Sequence, residues 1–181
     1  LKSIKLKPAL VNINKTTLSR AVQLCQKTNQ FNLRTQRYDT NDLLKLNKNN
    51  ICFLINLIDA YGDHGLVGLV CLKEIGKRHI FLDTFLMSCR ILGRHLESWV
   101  LNEIKKIAKK RKKNYILAEF IPTKRNQIAQ NFLESNNFNK ITKKKLENDI
   151  DFLNKLSSKS SNSEYFIFNT NKNIPNIKIY E

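Results

Sequence analysis

Glycine and proline are scarce in this chain, five and three in 181 residues, which excludes collagen-like and Gly/Pro-repeat architectures. No apolar run approaches the roughly 20 residues that span a bilayer. The opening Leu-Lys-Ser-Ile-Lys-Leu-Lys has no long apolar core behind it, so it does not read as a secretory leader. The chain also opens without an initiator methionine, as a fragment of something longer would. Four cysteines, Cys25, Cys52, Cys71 and Cys89, form no C-x-x-C pair, and three of them sit in apolar segments. Buried free thiols in a reducing, cytoplasmic compartment are expected. The histidines His64, His79 and His95 miss the spacings of metal ligands, so no metal is expected. Acids are few: 15 Asp and Glu against 32 Lys and Arg leave a net charge of +17.

Such a surface attracts anions, whether nucleic acid, a membrane surface, or an acidic small molecule or protein. The charge is diffuse, with one dense run over Lys105–Lys113, and the Lys- and Asn-rich mix is that of an AT-rich genome. No aromatic platform or recognition motif accompanies it, so nucleic acid is not the expected partner. Hydrophobic residues make up 41% of the chain, enough for a folded domain with a real core.

The order of elements follows from periodicity. Residues 16–27 put Leu18, Ala21, Val22 and Cys25 on one helical face, with Asn14 or Thr16 as cap. Phe31–Tyr38 is extended. Asp39-Thr-Asn-Asp42 opens a short helix over Leu43–Leu46. Ile51–Ile58, Leu66–Leu72 and His79–Met87 are strands, joined by short turns and therefore antiparallel. A long helix covers Gly93–Lys112, then a buried strand Tyr115–Ile121 and a helix Arg125–Ser135 with Ile128, Ala129, Phe132 and Leu133 inward. Phe138–Ile141 and Glu164–Phe168 are strands, separated by a helix over Lys143–Leu156 and a Ser-rich loop over Ser157–Ser163. The fold class is α/β: a mixed, mostly antiparallel sheet flanked by helices, with one crossover. Residues 1–30 form a helical lead-in packed on a domain of residues 31–169, and 170–181 form a tail.

Chemistry concentrates where His79–Met87 runs into the long helix. A helix N-terminus offers unpaired N–H groups and a partial positive charge. Gly93 admits close approach of a ligand, and Arg90 and Arg94 present two guanidinium forks. This is either a pyrophosphate cradle or an ordinary turn with surface arginines. On the strand before it, alternation places Asp83 on one face with Phe81, Phe85 and Met87, where desolvation would raise its pKa. Asp83 is therefore a candidate base, or a structural acid paired with an arginine such as Arg90. Glu119 is a second candidate among Tyr115, Leu117 and Ile121. Asp63 and His64 belong to a turn, and Cys89 to a buried or backbone-anchoring position.

Arg90-x-x-Gly93-x-His95 at this junction resembles the acyl-CoA-binding motif of the GNAT acyltransferases, and Asn126-x-x-Ala129-x-x-Phe132 resembles the next helix motif of that family. Longer stretches are similar to the C-terminal acyltransferase-like region of FkbH-like proteins, which carry a HAD-type domain ahead of it. These are Gln23–Asn32, Arg37-Tyr38, Gly62–Gly68, Leu82–Arg94 and Pro122–Asn126. The resemblance implies an acyltransferase. Its donor would be acetyl-CoA, another acyl-CoA or a phosphopantetheine thioester on an acyl carrier protein. Its acceptor would be a small amine or hydroxyl compound, such as an amino sugar. Met87, Ser88, Cys89 and Arg90 would run beside the pantetheine arm. The backbone of Ile91, Leu92, Gly93, Arg94 and His95 would hold the pyrophosphate, with Asn126 on the following motif. Two departures stand out: His95 replaces the last small residue of the loop, and Phe132 and Leu133 stand near where the family's tyrosine acid is sought. The alternative is a non-catalytic module that docks a carrier protein or CoA.

Overall fold

The computed structural model describes residues 6–142 and 162–172. In chain order these form β1 (Lys7–Asn12), α1 (Leu18–Lys27), β2 (Phe31–Asn32), α2 (Thr40–Asn49), β3 (Ile51–Asp59), β4 (Gly62–Ile75) and β5 (His79–Met87). A 3-10 turn at Cys89–Ile91 leads to α3 (Leu96–Lys110) and β6 (Tyr115–Phe120). A second 3-10 turn (Gln127–Ala129) precedes α4 (Phe132–Ser135), β7 (Asn139–Ile141) and β8 (Glu164–Asn169). The sheet runs β1-β3-β4-β5-β6-β8-β7, with β2 against β5. Every pairing is antiparallel except β5 with β6, which the crossover helix α3 makes parallel.

Two apolar clusters sandwich the sheet. One packs Val100, Leu101 and Ile104 of α3 on Val70, Leu82, Phe85 and Phe120. The other packs Ala21, Leu24 and Cys25 of α1 and Leu43 and Leu46 of α2 on Leu54, Leu69 and Leu86. Each fully buried aliphatic or aromatic side chain contributes about 1.5–3 kcal/mol. At the start of α2, Asp39 accepts from the Asp42 N–H while Asp42 accepts from the Asp39 N–H, a closed capping box. The helix runs a turn past Leu46, to Asn49.

Several boundaries differ from expectation. The Lys7–Asn12 stretch extends the sheet as its edge strand beside β3. The helix expected from Gly93 begins at Leu96, because Gly93 (φ 79°) and His95 (φ 60°) are both left-handed. The Arg125–Ser135 helix breaks into a 3-10 turn and one short α-turn, and Ile128, expected inward, is exposed. The helix expected over Lys143–Leu156 lies outside the described residues, as do residues 157–161 of the Ser-rich loop and 173–181 of the tail. Cys25, Cys52 and Cys71 are buried free thiols, whereas Cys89 is exposed rather than anchored inside.

Candidate active site

β5 and β6 pair only from His79–Tyr115 to Leu82–Ala118, and then part. The chain's own segment 31–34 fills the gap. Phe31 and Asn32 pair with Met87 and Leu86, the Leu33 N–H donates to Phe85 O (3.3 Å), and the Ile121 N–H donates to Leu33 O (2.8 Å). The Phe31 ring stands edge-on to Phe85 and Phe132, at 5.2 and 5.0 Å between centroids. Met87 is thus paired on both sides, with Gly68 and with Phe31, and fully buried. Its backbone is not open for a pantetheine arm to run along, contrary to expectation; Ser88, Cys89 and Arg90 are the accessible part of that stretch.

Below the gap lies an ionic cluster that joins the two parted strands. Arg34 Nη1 donates to Asp83 Oδ1 (2.8 Å) and Asp83 O (3.1 Å), while Arg34 Nε donates to Glu119 Oε2 (2.6 Å). Lys73 Nζ reaches Asp83 Oδ1 at 2.6 Å. The Tyr38 hydroxyl and Thr84 Oγ1 donate to Asp83 Oδ2 at 2.8 and 2.9 Å. Asp83 and Glu119 are essentially inaccessible, at 1% and 0% exposure, and Arg34 is 7% exposed. Burial alone would raise the Asp83 pKa, but the Arg34 and Lys73 charges with the Tyr38 hydroxyl outweigh it and hold the carboxyl below its usual range. The expected direction is therefore reversed, and the partner arginine is Arg34 rather than Arg90. Burial and the adjacent Asp83 charge push the Tyr38 phenol up.

A bulge explains why alternation misplaced Asp83. The register steps from Cys71–Thr84 to Leu72–Leu82, leaving Asp83 as the extra residue. Phase changes there: Ile80 and Leu82 share the α3-side core with Phe85 and Met87, while Phe81 packs with Leu117 and Tyr165 on the other face. Sequence reasoning passed over Arg34 and Lys73, and quoted Tyr38 only within a motif, without a site role. The available signal was a lysine directly after the apolar run Leu66–Leu72 and an Arg directly after the apolar Leu33.

The turn from β5 into α3 is partly self-satisfied. The Ile91 N–H bonds Ser88 O and the Leu92 N–H bonds Cys89 O, closing the 3-10 turn. The Gly93 N–H donates to Glu97 Oε1 at 2.9 Å, so a carboxylate of α3's own first turn sits on an amide expected to hold phosphate. Arg94 reaches Asp59 Oδ2 at 2.8 Å, and His64 Nε2 is 2.7 Å from the same oxygen. This ties the β3–β4 hairpin to the loop through Asp59, a residue the sequence did not single out. Asp63 has the expected turn role, accepting from the Gly65 N–H. Arg90 is exposed, and His95 holds the cap position without a side-chain cap bond.

Asn126 is fully buried and its amide is spent inside the protein. Its Nδ2 donates to Asn32 O (3.0 Å) and Ile121 O (2.9 Å), and its Oδ1 accepts from Thr123. It clamps the 31–34 segment into the gap rather than facing a ligand. Phe132 packs on Phe31 and Phe85, and Leu133 is buried, so neither offers a proton. Among the described residues no group of three His, Cys, Asp or Glu side chains could hold a metal ion, and no helix is long and apolar enough to cross a membrane. A cavity of about 360 Å³ opens between α1 and the Ser88–Arg90 turn.

No family model and no curated protein matches the sequence. Solved structures do match the fold. A GNAT-family acetyltransferase from Staphylococcus aureus superposes with a TM-score of 0.65 at 14% identity, over 91% of this chain and 99% of that one. The ribosomal-protein-S18-alanine N-acetyltransferase of Escherichia coli gives 0.60 at 12%, over 89% and 91%. Rv2747 of Mycobacterium tuberculosis, solved with CoA bound, gives 0.64 at 12%, over 89% and 98%. At such identities the likeness is one of architecture, and the architecture of this chain is that of the GNAT acetyltransferases.

Proposed function

We propose that the chain is an acyltransferase domain that takes an acyl group from a thioester, on CoA or on a carrier protein's phosphopantetheine, to an amine or hydroxyl. One observation carries the reading: the junction at the end of β5. There a strand parts from its parallel neighbour after Leu82, and a left-handed loop through Gly93 and His95 delivers the chain into the N-terminus of α3. The fold around it is shared with proteins solved with CoA bound. In the reaction the acceptor's N or O attacks the thioester carbonyl, the C–S bond breaks, and the thiolate leaves with a proton the acceptor has lost. Ile91–His95 are proposed to seat the pyrophosphate, and Ser88–Arg90 to flank the arm. The resemblance to FkbH-like proteins is what suggests a HAD-type domain and an acidic carrier as partners, with an amino sugar among the acceptors.

Glu97 now occupies part of that seat, so a donor phosphate must displace it. Glu97→Gln keeps the shape and removes the charge. It is expected to tighten acetyl-CoA binding about fivefold, the equivalent of roughly 1 kcal/mol, in calorimetric titration. Unchanged affinity places the pyrophosphate elsewhere. The same titration with a phosphopantetheinylated carrier protein separates the two donors, and binding to neither removes the reading.

Asp83 and Glu119 are the proposed carboxylates of the reaction centre. With Arg34 and Lys73 on it, Asp83 is ionised at neutral pH, as a base must be, though a weak one. Asp83→Asn is expected to lower kcat at least tenfold, on the scale of general-base losses, and to remove the acid limb of the pH profile. A stability loss with an unchanged profile makes Asp83 structural. The second reading, a docking module without turnover, is favoured by the paired Met87 backbone and by Phe132 and Leu133, which carry no proton to give. No turnover of any thioester against a broad amine panel would select it.

A further inference from the structure

The cavity beside the Ser88–Arg90 turn has a chemistry of its own. Arg20 and Lys27 of α1 line one wall and Arg90 the other. Among the described residues no Asp or Glu lines it, and none occurs in the sequence between Asn14 and Tyr38 or between Thr84 and Leu96, the two segments that build it. Among the described residues no carboxylate forms an ion pair with these cations, unlike Arg34, Lys73 and Arg94. Arg20 is partly buried and anchored, with Nε on Leu66 O at 3.0 Å and Nη1 on Gln23 Oε1. Burial and the Arg90 charge hold its pKa below the ordinary arginine value. Two guanidinium groups facing one cavity repel each other until an anion lies between them.

The rest of the lining is uncharged and mixed: the Gln23 and Gln30 amides and the Ser88 hydroxyl stand beside the cations, and Leu24, Cys89 and the side-chain stems add apolar surface of similar extent. The cations with the amides and the hydroxyl suit a phosphate that carries neighbouring hydroxyl groups, the apolar part suits the carbon skeleton between them, and 360 Å³ is near the lower end of small-molecule sites. We propose that this cavity binds a small phosphorylated polyol, of sugar-phosphate size. The binding claim stands without turnover. If the acyl-transfer reading also holds, on which this second step rests, the polyol is the acceptor and a hydroxyl or amine on it receives the acyl group.

Cys89 reports on the cavity directly, because its thiol is exposed on the rim while Cys25, Cys52 and Cys71 are buried. The experiment follows Cys89 modification in the full chain at matched ionic strength, with a dianionic aromatic disulfide and, separately, a neutral dipyridyl disulfide. Glucose 6-phosphate and glycerol 3-phosphate are expected to slow both reagents, by about threefold or more for the anionic one, whose approach the cations steer. Glucose and glycerol are expected to do nothing. Arg90→Gln, an exposed change, and Arg20→Gln are each expected to abolish protection and slow the anionic reagent, while leaving the neutral one's rate in place as the sign of an intact fold.

Absence of protection by either phosphate ester in the millimolar range overturns the proposal. Equal protection by inorganic phosphate overturns its polyol part, and protection by CoA alone gives the cavity to the donor. None of these readouts uses acyl transfer, so an inactive protein that is still protected by sugar phosphate defeats the enzymatic reading and leaves the site standing.

Discussion

Arg34→Met is expected to destabilise the fold by about 3–5 kcal/mol, the cost of leaving buried carboxylates without their cation. For a chain of this length that is a fall in Tm of about 6–20 °C. One guanidinium holds both Asp83 and Glu119, on the two strands that have just parted, and its own segment closes the gap between them. Lys73, which is partly exposed, is the remaining cation on Asp83. Methionine fills much of the volume over the Phe81 ring, which Arg34 overlies at 4.9 Å, so the loss is electrostatic more than steric. Arg34→Lys keeps the charge but cannot fork to two carboxylates, and is expected to recover only part of the stability. Combining Arg34→Met with Glu119→Gln is expected to cost less than the sum, since one orphaned charge is gone.

The pH dependence of this loss has a definite sign. Asp83 has a folded pKa below its unfolded value, so its contribution is present above about pH 4 and is lost as pH falls through the folded pKa. Without Arg34 that depression shrinks. The deficit of Arg34→Met, measured by urea unfolding, is therefore expected to be largest above pH 4 and to narrow below it. A deficit that does not change with pH would mean that the carboxylate is not what Arg34 serves.

Much of the sheet could be read from the residues because its strands differ sharply from its turns. Ile51–Ile58 is apolar except at Asn56, His79–Met87 is apolar except at His79, Asp83 and Thr84, and short connections leave only antiparallel pairing. The α3 stripe was legible for the same reason, and so was the capping box at Asp39. What was not legible depended on single-residue events. The bulge at Asp83 shifts the phase of one strand by one residue, and no local pattern marks it. The filling of the β5–β6 gap by Phe31–Arg34 is a contact between segments some 50 and 85 positions apart, as the Arg34 bonds to Asp83 and Glu119 measure. Asn126 looked like a ligand contact because a motif placed it there, yet its amide meets Asn32 and Ile121. Position in a motif and direction of a side chain are separate facts, and only the second decides what a polar group touches.

The basic run from Lys105 to Lys113 makes the same point with a measurable consequence. Lys106, Lys109, Lys110, Arg111 and Lys112 are partly or largely exposed, but Lys105 is 1% exposed. Its ammonium donates to Asn136 O at 2.8 Å and lies 4.3 Å from the Phe168 ring centroid. Neither partner is an anion, so burial pushes its pKa down to about 8, from an ordinary 10.5. The unfolded chain then binds more protons than the folded one between these values, and stability must rise with pH across that window. The full gain is about 3 kcal/mol by the usual conversion of pKa difference to free energy. Other lysines also titrate near the top of the window, so the test is a difference: urea unfolding of the wild-type chain and of Lys105→Met at pH 7 and again near pH 11. The wild type is expected to gain about 3 kcal/mol on the variant between them. A constant difference would mean that Lys105 keeps an ordinary pKa and that its cation is accommodated without penalty. Lys105 joins α3 to the end of α4, and α4 presses Phe132 onto the Phe31 that fills the strand gap. A loosened bond there is therefore expected to reach the junction through packing, with no charge of Lys105 acting on the site itself.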